Sequence, residues 1–372
     1  MARIIYSEKF EKYTYGANHP FRLDRGRLFL NSALRLNILN DSDIVLTDNG
    51  KEEDIRLFHT SEYTDILKRA NSGEIESEFL QYGIGLPDNP VFKGIFDVAV
   101  LHTSMAREAY EQIKNTDRIF VPVGGLHHAM RNRASGFCYI NDLGILIELL
   151  LGESKKVFYI DIDAHHGDGI QNGFYDNPRV LKMSFHESGK TLFPFGGFED
   201  ELGSGEGKFF NLNIPLNCYA DDEIFLFLFK KIFIPIIEKF NPDITVAQIG
   251  VDMMSTDPLT HLRLTNNSYI EAIRIIKEKS KKLIAFGGGG YNPDNIVKGY
   301  TLAWAVLNDI ETDDYYNASL GGTFMGSQEL SVGSLKDMNL FVSGPEKDVA
   351  AKEAERIYNY YRENIFPFYE SQ

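Results

Sequence analysis

The stretch Lys156-Val-Phe-Tyr-Ile-Asp161-Ile-Asp163-Ala-His165-His166-Gly167-Asp168 decides the fold. Its first half is short, apolar and partly β-branched, as a strand buried on both faces should be. Its second half carries Asp161, Asp163, Asp168 and the His165-His166 pair within a single turn-forming segment. A buried strand running into a polar cluster is the signature of a parallel α/β sheet, where ligands bind beyond the carboxyl ends of the strands. In extended chain every second side chain points the same way, which puts Asp161, Asp163 and His165 on one side. Carboxylates that close repel each other unless a cation sits among them, and a divalent metal meets that need.

Working outward, the same pattern recurs. Arg118-Ile-Phe-Val-Pro-Val leads into Gly124-Gly-Leu-His127-His128, and Arg179-Val-Leu-Lys-Met into Ser184-Phe-His186. Ile244-Thr-Val-Ala-Gln-Ile leads into Gly250-Val-Asp252, and Lys282-Leu-Ile-Ala-Phe into the glycine run that ends at Tyr291. Amphipathic stretches at Ala106 to Lys114, Leu143 to Leu151 and Tyr269 to Lys282 lie between them. Alternating strand and helix predicts a mostly parallel sheet with helices on both faces. Polar clusters after successive strands predict one composite site at one edge of that sheet. Asn213-Ile-Pro215 and the segment Phe195 to Gly207 read as loop, and Asp313 to Gly344 as irregular chain. Pro345 to Asn364 reads as a charged helix with Ala350, Ala354, Ile357 and Tyr361 on its apolar side.

With no repeat and no long linker, the 372 residues read as one domain, 1–372, with a catalytic core over about 5–310 and a C-terminal segment 311–372 packed on it. No apolar run reaches the ~20 residues of a membrane span. Ile224 to Ile237 is interrupted by Lys230, Lys231 and Pro235. The start of the chain lacks the pattern of a signal peptide, so a cytoplasmic location is expected. Cys138 and Cys218 make neither a disulfide framework nor a zinc cage. A formal charge of −15 argues against direct nucleic-acid binding and suits a cationic substrate.

The clusters combine into a chemistry. Asp252, after its own buried strand, is the natural further ligand for a metal held by the Asp161–His165 run. An Asp/His set with an open position is a catalytic rather than a structural pattern; zinc fits it, and iron or manganese remain compatible. His127 and His128 can move protons to and from a substrate, oriented by carboxylates such as Asp161 and Asp168. Tyr291 can donate its hydroxyl to an oxyanion. The four glycines before it lack the lysine and hydroxyl residue of a phosphate loop. Metal, water, histidine pair and tyrosine donor are the apparatus for hydrolysing an amide, since a metal lowers the pKa of a water to ~7 and polarises a carbonyl.

These residues resemble the arginase-fold zinc deacetylases, the histone deacetylase superfamily, in particular its class I-like members and the bacterial acetoin-utilisation branch. The resemblance rests on His19-Pro20, Tyr82-Gly-Ile-Gly, Asp88-Asn-Pro-Val-Phe, Gly124-Gly-Leu-His-His, Ser135-Gly-Phe-Cys-Tyr-Ile-Asn-Asp142, Tyr159 to Gly169, Gly250-Val-Asp252 with Asp257-Pro-Leu, and Gly287 to Tyr291. It implies that Asp163, His165 and Asp252 ligate zinc, with Asp161 behind them. It pairs His127 with Asp161 and His128 with Asp168, makes His128 the general base and one or both histidines the acid, and gives Tyr291 the substrate carbonyl. Phe137 and Phe193 would wall an acyl-lysine tunnel lined by Gly136 and edged by Leu259. Asp88 would hold the substrate backbone at the rim, and Arg25 would sit at an inner channel for acetate. Potassium would be held by Asp161, Asp163, His165, Ser184 and Phe185, and a second one by Phe174 and Val180.

The reaction so implied is removal of an acetyl or similar acyl group from a lysine side chain in a protein or peptide. The alternative is an acetylpolyamine or other small N-acyl amine. A scaffold protein would need a damaged metal set, and a manganese ureohydrolase such as arginase would need two metals held by more carboxylates.

Overall fold

The computed structural model describes residues 1–48, 50–312 and 334–371. Eight strands form one sheet: β1 (Arg3–Tyr6), β2 (Ile44–Leu46), β3 (Arg118–Val121), β4 (Val157–Asp161), β5 (Val180–Glu187), β6 (Asn211–Leu216), β7 (Ile244–Gln248) and β8 (Leu283–Phe286). Their order is β2-β1-β3-β8-β7-β4-β5-β6, and every pairing is parallel. The sheet is α/β in class, as the alternation of runs predicts. β4, β5 and β7 are buried along their whole length, which is why they read as near-continuous apolar runs.

The five strands marked by sequence, β3, β8, β7, β4 and β5, are neighbours in the sheet. The chain runs from β3 across to β4 and returns through β7 and β8, so their polar ends converge at one place. That reversal of strand order is where an open α/β sheet leaves a crevice.

Helices pack on the sheet as amphipathic segments. Asp142–Gly152 starts at Asn141, whose side chain accepts from the Gly144 amide at 2.9 Å and so satisfies an otherwise orphan donor. The helix Asn266–Lys279 ends before Lys282, which belongs to the approach to β8. The stretch Ala106 to Lys114 is the tail of a longer helix, Ile95–Gln112, whose first half is buried nearly all round and shows no polar face to read. The reading of Asn213-Ile-Pro215 as loop is corrected: these residues lie in β6. Proline is tolerated there because β6 is the sheet's edge strand, where a missing N–H costs no ladder bond. β1 and β2 were not expected at all, being four and three residues long.

The C-terminal helix Pro345–Asn364 buries Ala350, Ala354, Ile357 and Tyr361, the predicted apolar side. The Tyr361 hydroxyl donates to the Asn213 carbonyl at 2.9 Å and pins the helix to β6. Residues 313–333 of the segment expected to be irregular lie outside the described residues. Among the described residues no helix is long and apolar enough to cross a membrane. Both cysteines are unpaired, and Cys138 is buried.

Candidate active site

β4 ends at Asp161, and the chain then coils through two side-chain turns. The Asp163 amide donates to Asp161 Oδ1 at 3.0 Å, and the His165 amide donates to Asp163 Oδ1 at 3.0 Å. Because the strand stops there, alternation stops too. The expectation that Asp161, Asp163 and His165 share one side is therefore corrected. Asp161 turns to His127 Nδ1 at 2.8 Å and to the Tyr159 hydroxyl at 2.5 Å. Asp163, His165 and the β7-derived Asp252 form a buried group whose ligand atoms lie within 4.8 Å of one another.

This group could hold a cation. His165 Nδ1 stands 3.0 Å from Asp252 Oδ2 and 3.2 Å from Asp163 Oδ1. No lysine or arginine pairs with either carboxylate among the described residues. Burial, and then the negative charge of Asp163, push the Asp252 carboxyl up to about 7. Burial opposes charge on His165, yet the two carboxylates raise it to about 10. A divalent ion would replace the proton shared among these groups, and two carboxylates with one imidazole suit zinc.

Further bonds place the ligands. The Asp252 carboxylate accepts from the Ala164 amide at 2.8 Å, and Asp163 Oδ2 accepts from the Gly289 amide at 2.6 Å. A Cβ on Gly289 would stand 2.0 Å from Asp252 Oδ2, so only glycine lets this backbone come so near.

The histidine pair lies beside the group. His127 Nε2 and His128 Nε2 are 3.0 Å apart, and His128 Nδ1 meets Asp168 Oδ1 at 2.7 Å. Asp168 opens the short helix Asp168–Gly173. Burial disfavours charge on both rings. For His127 the carboxylates of Asp161 and Asp163 prevail and lift it to about 9. For His128 burial and the charge of His127 win, and it falls to about 4. The surroundings thus favour charge on His127 and a neutral ring on His128.

The Tyr291 amide donates to Asp257 Oδ2 at 2.7 Å, which fixes the tyrosine at the end of the glycine run. Burial raises its hydroxyl well above the ordinary value, so it remains a donor. Its ring lies 5.7 Å from Phe137 and 6.2 Å from His165. Phe193 packs edge-on to His128 at 5.1 Å. A Cβ on Gly136 would meet both His128 and Phe193 within 2.9 Å, so Gly136 lies against the histidine and the Phe193 ring. Phe137 itself sits at φ +68°, a strained backbone for a phenylalanine and the kind of cost found at functional sites. Leu259 is half-buried in the loop that Asp257 anchors.

Asp88 is exposed, and its carbonyl faces His19 Nε2 at 3.2 Å. Arg25 is buried. Its guanidinium donates to the carbonyls of Gly288 and Gly290, the latter at 2.8 Å, and lies 4.3 Å over the Phe21 ring. Asp161 and Ser184 are register partners on β4 and β5, and the Ser184 hydroxyl bonds His186 Nδ1 at 2.8 Å. The Phe174 carbonyl, which the resemblance gives to a second potassium, accepts from the buried Lys182 Nζ.

A model of the histone deacetylase domain matches residues 19–307. The chain belongs to the histone deacetylase family. Acetoin utilization protein AcuC of Bacillus subtilis is 37% identical to it over 318 residues, 83% of this chain and 82% of that protein. Human histone deacetylase 1 is 34% identical over 82% of this chain and 64% of its own length. The crystal structure of a histone deacetylase homologue complexed with SAHA superposes at a TM-score of 0.86 with 32% identity, covering 96% of this chain and 98% of that one. A homologue from Aquifex aeolicus gives 0.84 with 33% identity, covering 95% and 99%. The architecture is thus the arginase-like fold of these deacetylases, and family membership makes the chain a hydrolase of the deacetylase class.

Several positioning residues escaped sequence reasoning. Gln248 donates to the Gly125 carbonyl at 2.8 Å, and Asp142 accepts from the Gly125 and Leu126 amides, so both brace the backbone that carries His127. Tyr159 braces Asp161, and Asp257 braces Tyr291. The one available signal was a polar residue inside an apolar strand run, which holds for Gln248.

Proposed function

We propose that this protein hydrolyses the amide of an acyl-lysine side chain, acetyl-lysine foremost, as a single-zinc deacylase, with Asp163, His165 and Asp252 holding the ion. The arrangement that carries the reading is the open Asp-His-Asp group facing the His127–His128 pair and Tyr291, between the rings of Phe137 and Phe193. When bound, the metal supplies positive charge that acidifies a water and polarises a carbonyl. The rest falls to the chain's own side chains. Neutral His128, held by Asp168, takes the proton from the attacking water. The Tyr291 hydroxyl donates to the carbonyl oxygen as that oxygen gains negative charge. As the C–N bond breaks, the histidine pair delivers a proton to the leaving lysine nitrogen, and Asp161 stabilises charge on His127. Acetate and the free amine are the products.

The apolar rings of Phe137 and Phe193 suit the methylene stem of a lysine, and Leu259 borders the same opening. Asp88 would accept the substrate's backbone N–H, and Arg25 would face departing acetate. Asp161 and Ser184, with the carbonyls of Asp163, His165 and Phe185, would hold one potassium ion. Iron in place of zinc is compatible with the oxygen-rich donors. Turnover of an acetyl-lysine peptide and of acetylputrescine, measured on the same zinc-loaded preparation, tests the substrate. The peptide should have the higher kcat/KM, and Asp163→Ala or His128→Ala should remove at least ~100-fold of it. Preference for acetylputrescine would make the enzyme a small-amine amidohydrolase instead.

A further inference from the structure

The mechanism gives no task to the buried carboxylate of Glu187. Glu187 is the last residue of β5, and its side chain is fully buried. No lysine or arginine pairs with it among the described residues. A buried carboxylate is costly unless its lone pairs are met. Here four donors meet them: the Thr191 hydroxyl at 2.8 Å, the Thr260 hydroxyl at 3.1 Å, the His261 amide at 2.8 Å and His261 Nδ1 at 2.8 Å.

Those donors belong to two different loops. Thr191 is two residues before Phe193, one aromatic wall. Thr260 and His261 follow directly on Leu259, in the loop whose other end, Asp257, holds the Tyr291 amide. The backbone of Glu187 makes a third tie, because its amide donates to the Ala164 carbonyl at 2.9 Å, between Asp163 and His165. One side chain therefore spans the gap between the Phe193 loop and the Leu259 loop, whose Asp257 holds Tyr291, from a strand end bonded to the turn between Asp163 and His165.

We infer that Glu187 is a positioning residue that sets the width of the acyl-lysine tunnel by clamping its two loops together. The inference rests on the deacylase reading above. Losing the carboxylate lets Phe193 and Leu259 move apart without disturbing Asp163, His165, Asp252 or the histidine pair. Binding of a slim substrate then weakens while chemistry on bound substrate continues, a loss of uniform binding that appears in KM.

The test compares the zinc-loaded wild type, Glu187→Ala and Glu187→Gln on peptides bearing acetyl-, butyryl- and hexanoyl-lysine. Glutamine keeps the shape, and its amide can donate to a threonine hydroxyl, so it should restore KM to within threefold of wild type. Glu187→Ala should raise KM for acetyl-lysine about tenfold, with kcat within threefold, and shift the kcat/KM ratio toward the longer acyl chains. Should Glu187→Ala not fold, Thr191→Val combined with Thr260→Val cuts one tie to each loop while leaving the carboxylate two bonds to His261, and the same shift should appear. Unchanged KM and acyl preference in a folded variant overturn the clamp, as does an equal fall of kcat in the alanine and glutamine variants. A wild type that hydrolyses none of the peptides sinks the deacylase reading instead.

Discussion

Gly289→Ala is the sharpest single perturbation this geometry offers. Gly289 has no left-handed backbone, so alanine brings no dihedral strain, and the whole effect must come from its Cβ. That atom would stand 2.0 Å from Asp252 Oδ2 and 2.6 Å from Asp163 Oδ2, against about 3.4 Å for ordinary contact. The clash is with the two carboxylates proposed as metal ligands, one of which also accepts from the Gly289 amide. Either the carboxylates or the glycine run must shift by more than 1 Å, on the order of the misplacement that costs ~100-fold in rate. Overpacking alone costs about 1–3 kcal/mol of stability. The assay is metal content per chain after dialysis, by elemental analysis, with acetyl-lysine turnover and thermal melting on the same samples. Metal affinity should fall ten- to a hundredfold, the scale of disturbed ligand support. Gly152→Ala is the control, since nothing lies within 4 Å of its Cβ position. Wild-type metal content and activity in Gly289→Ala would refute the claim that these two carboxylates bind one ion beside the glycine run.

Three further outcomes follow from the same structure. Buried His59 and His102 are both held neutral by burial, at about 3, far below an unfolded histidine near 6.5. The unfolded chain therefore binds more protons between those values, so stability is full above pH ~6.5 and falls toward pH 3, by at most about 1.4 kcal/mol per pH unit for each ring. His102→Leu should flatten the urea-unfolding free energy between pH 5 and 6.5, and an unchanged slope contradicts the assignment. Asp168→Asn should lower kcat at least tenfold while leaving metal content intact, because it touches His128 and no ligand; loss of metal would place Asp168 in the wrong role. Tyr361→Phe removes the bond to the β6 carbonyl and should cost about 1 kcal/mol in denaturant unfolding without changing KM.

How much of this was legible in the sequence follows from how each element is stabilised. The central strands announce themselves because burial on both faces demands a continuous apolar run, and β4 with its polar sequel is enough to predict both sheet and site. Asp161 shows where spacing stops being informative. Its period-two relation to Asp163 holds only while the chain is extended, and the strand ends at Asp161 itself. The family resemblance implies a place for it behind Asp163 and His165, and the Asp161 carboxylate bonds His127 Nδ1 and the Tyr159 hydroxyl. β1 and β2 are short and take their stability from neighbours across the sheet, so they leave little local signal. Asn213 to Pro215 looked like loop because proline argues against a strand, yet an edge strand forgives it. Asp142, Asp257 and Glu187 act through partners most of which are distant in sequence, and their local context does not reveal that; Gln248 alone left a signal, as a polar residue in an apolar strand run. Lys182, a lysine inside a strand run, was visible in sequence, but that its ammonium meets the Phe174 carbonyl was not.

The most direct test of the central claim is metal titration of stripped protein against acetate release from an acetyl-lysine peptide. Activity should rise linearly with added zinc and plateau at one ion per chain, and Asp252→Ala should abolish the plateau. Activity that survives metal removal, or that requires two manganese ions per chain, would contradict the single-site Asp163–His165–Asp252 account.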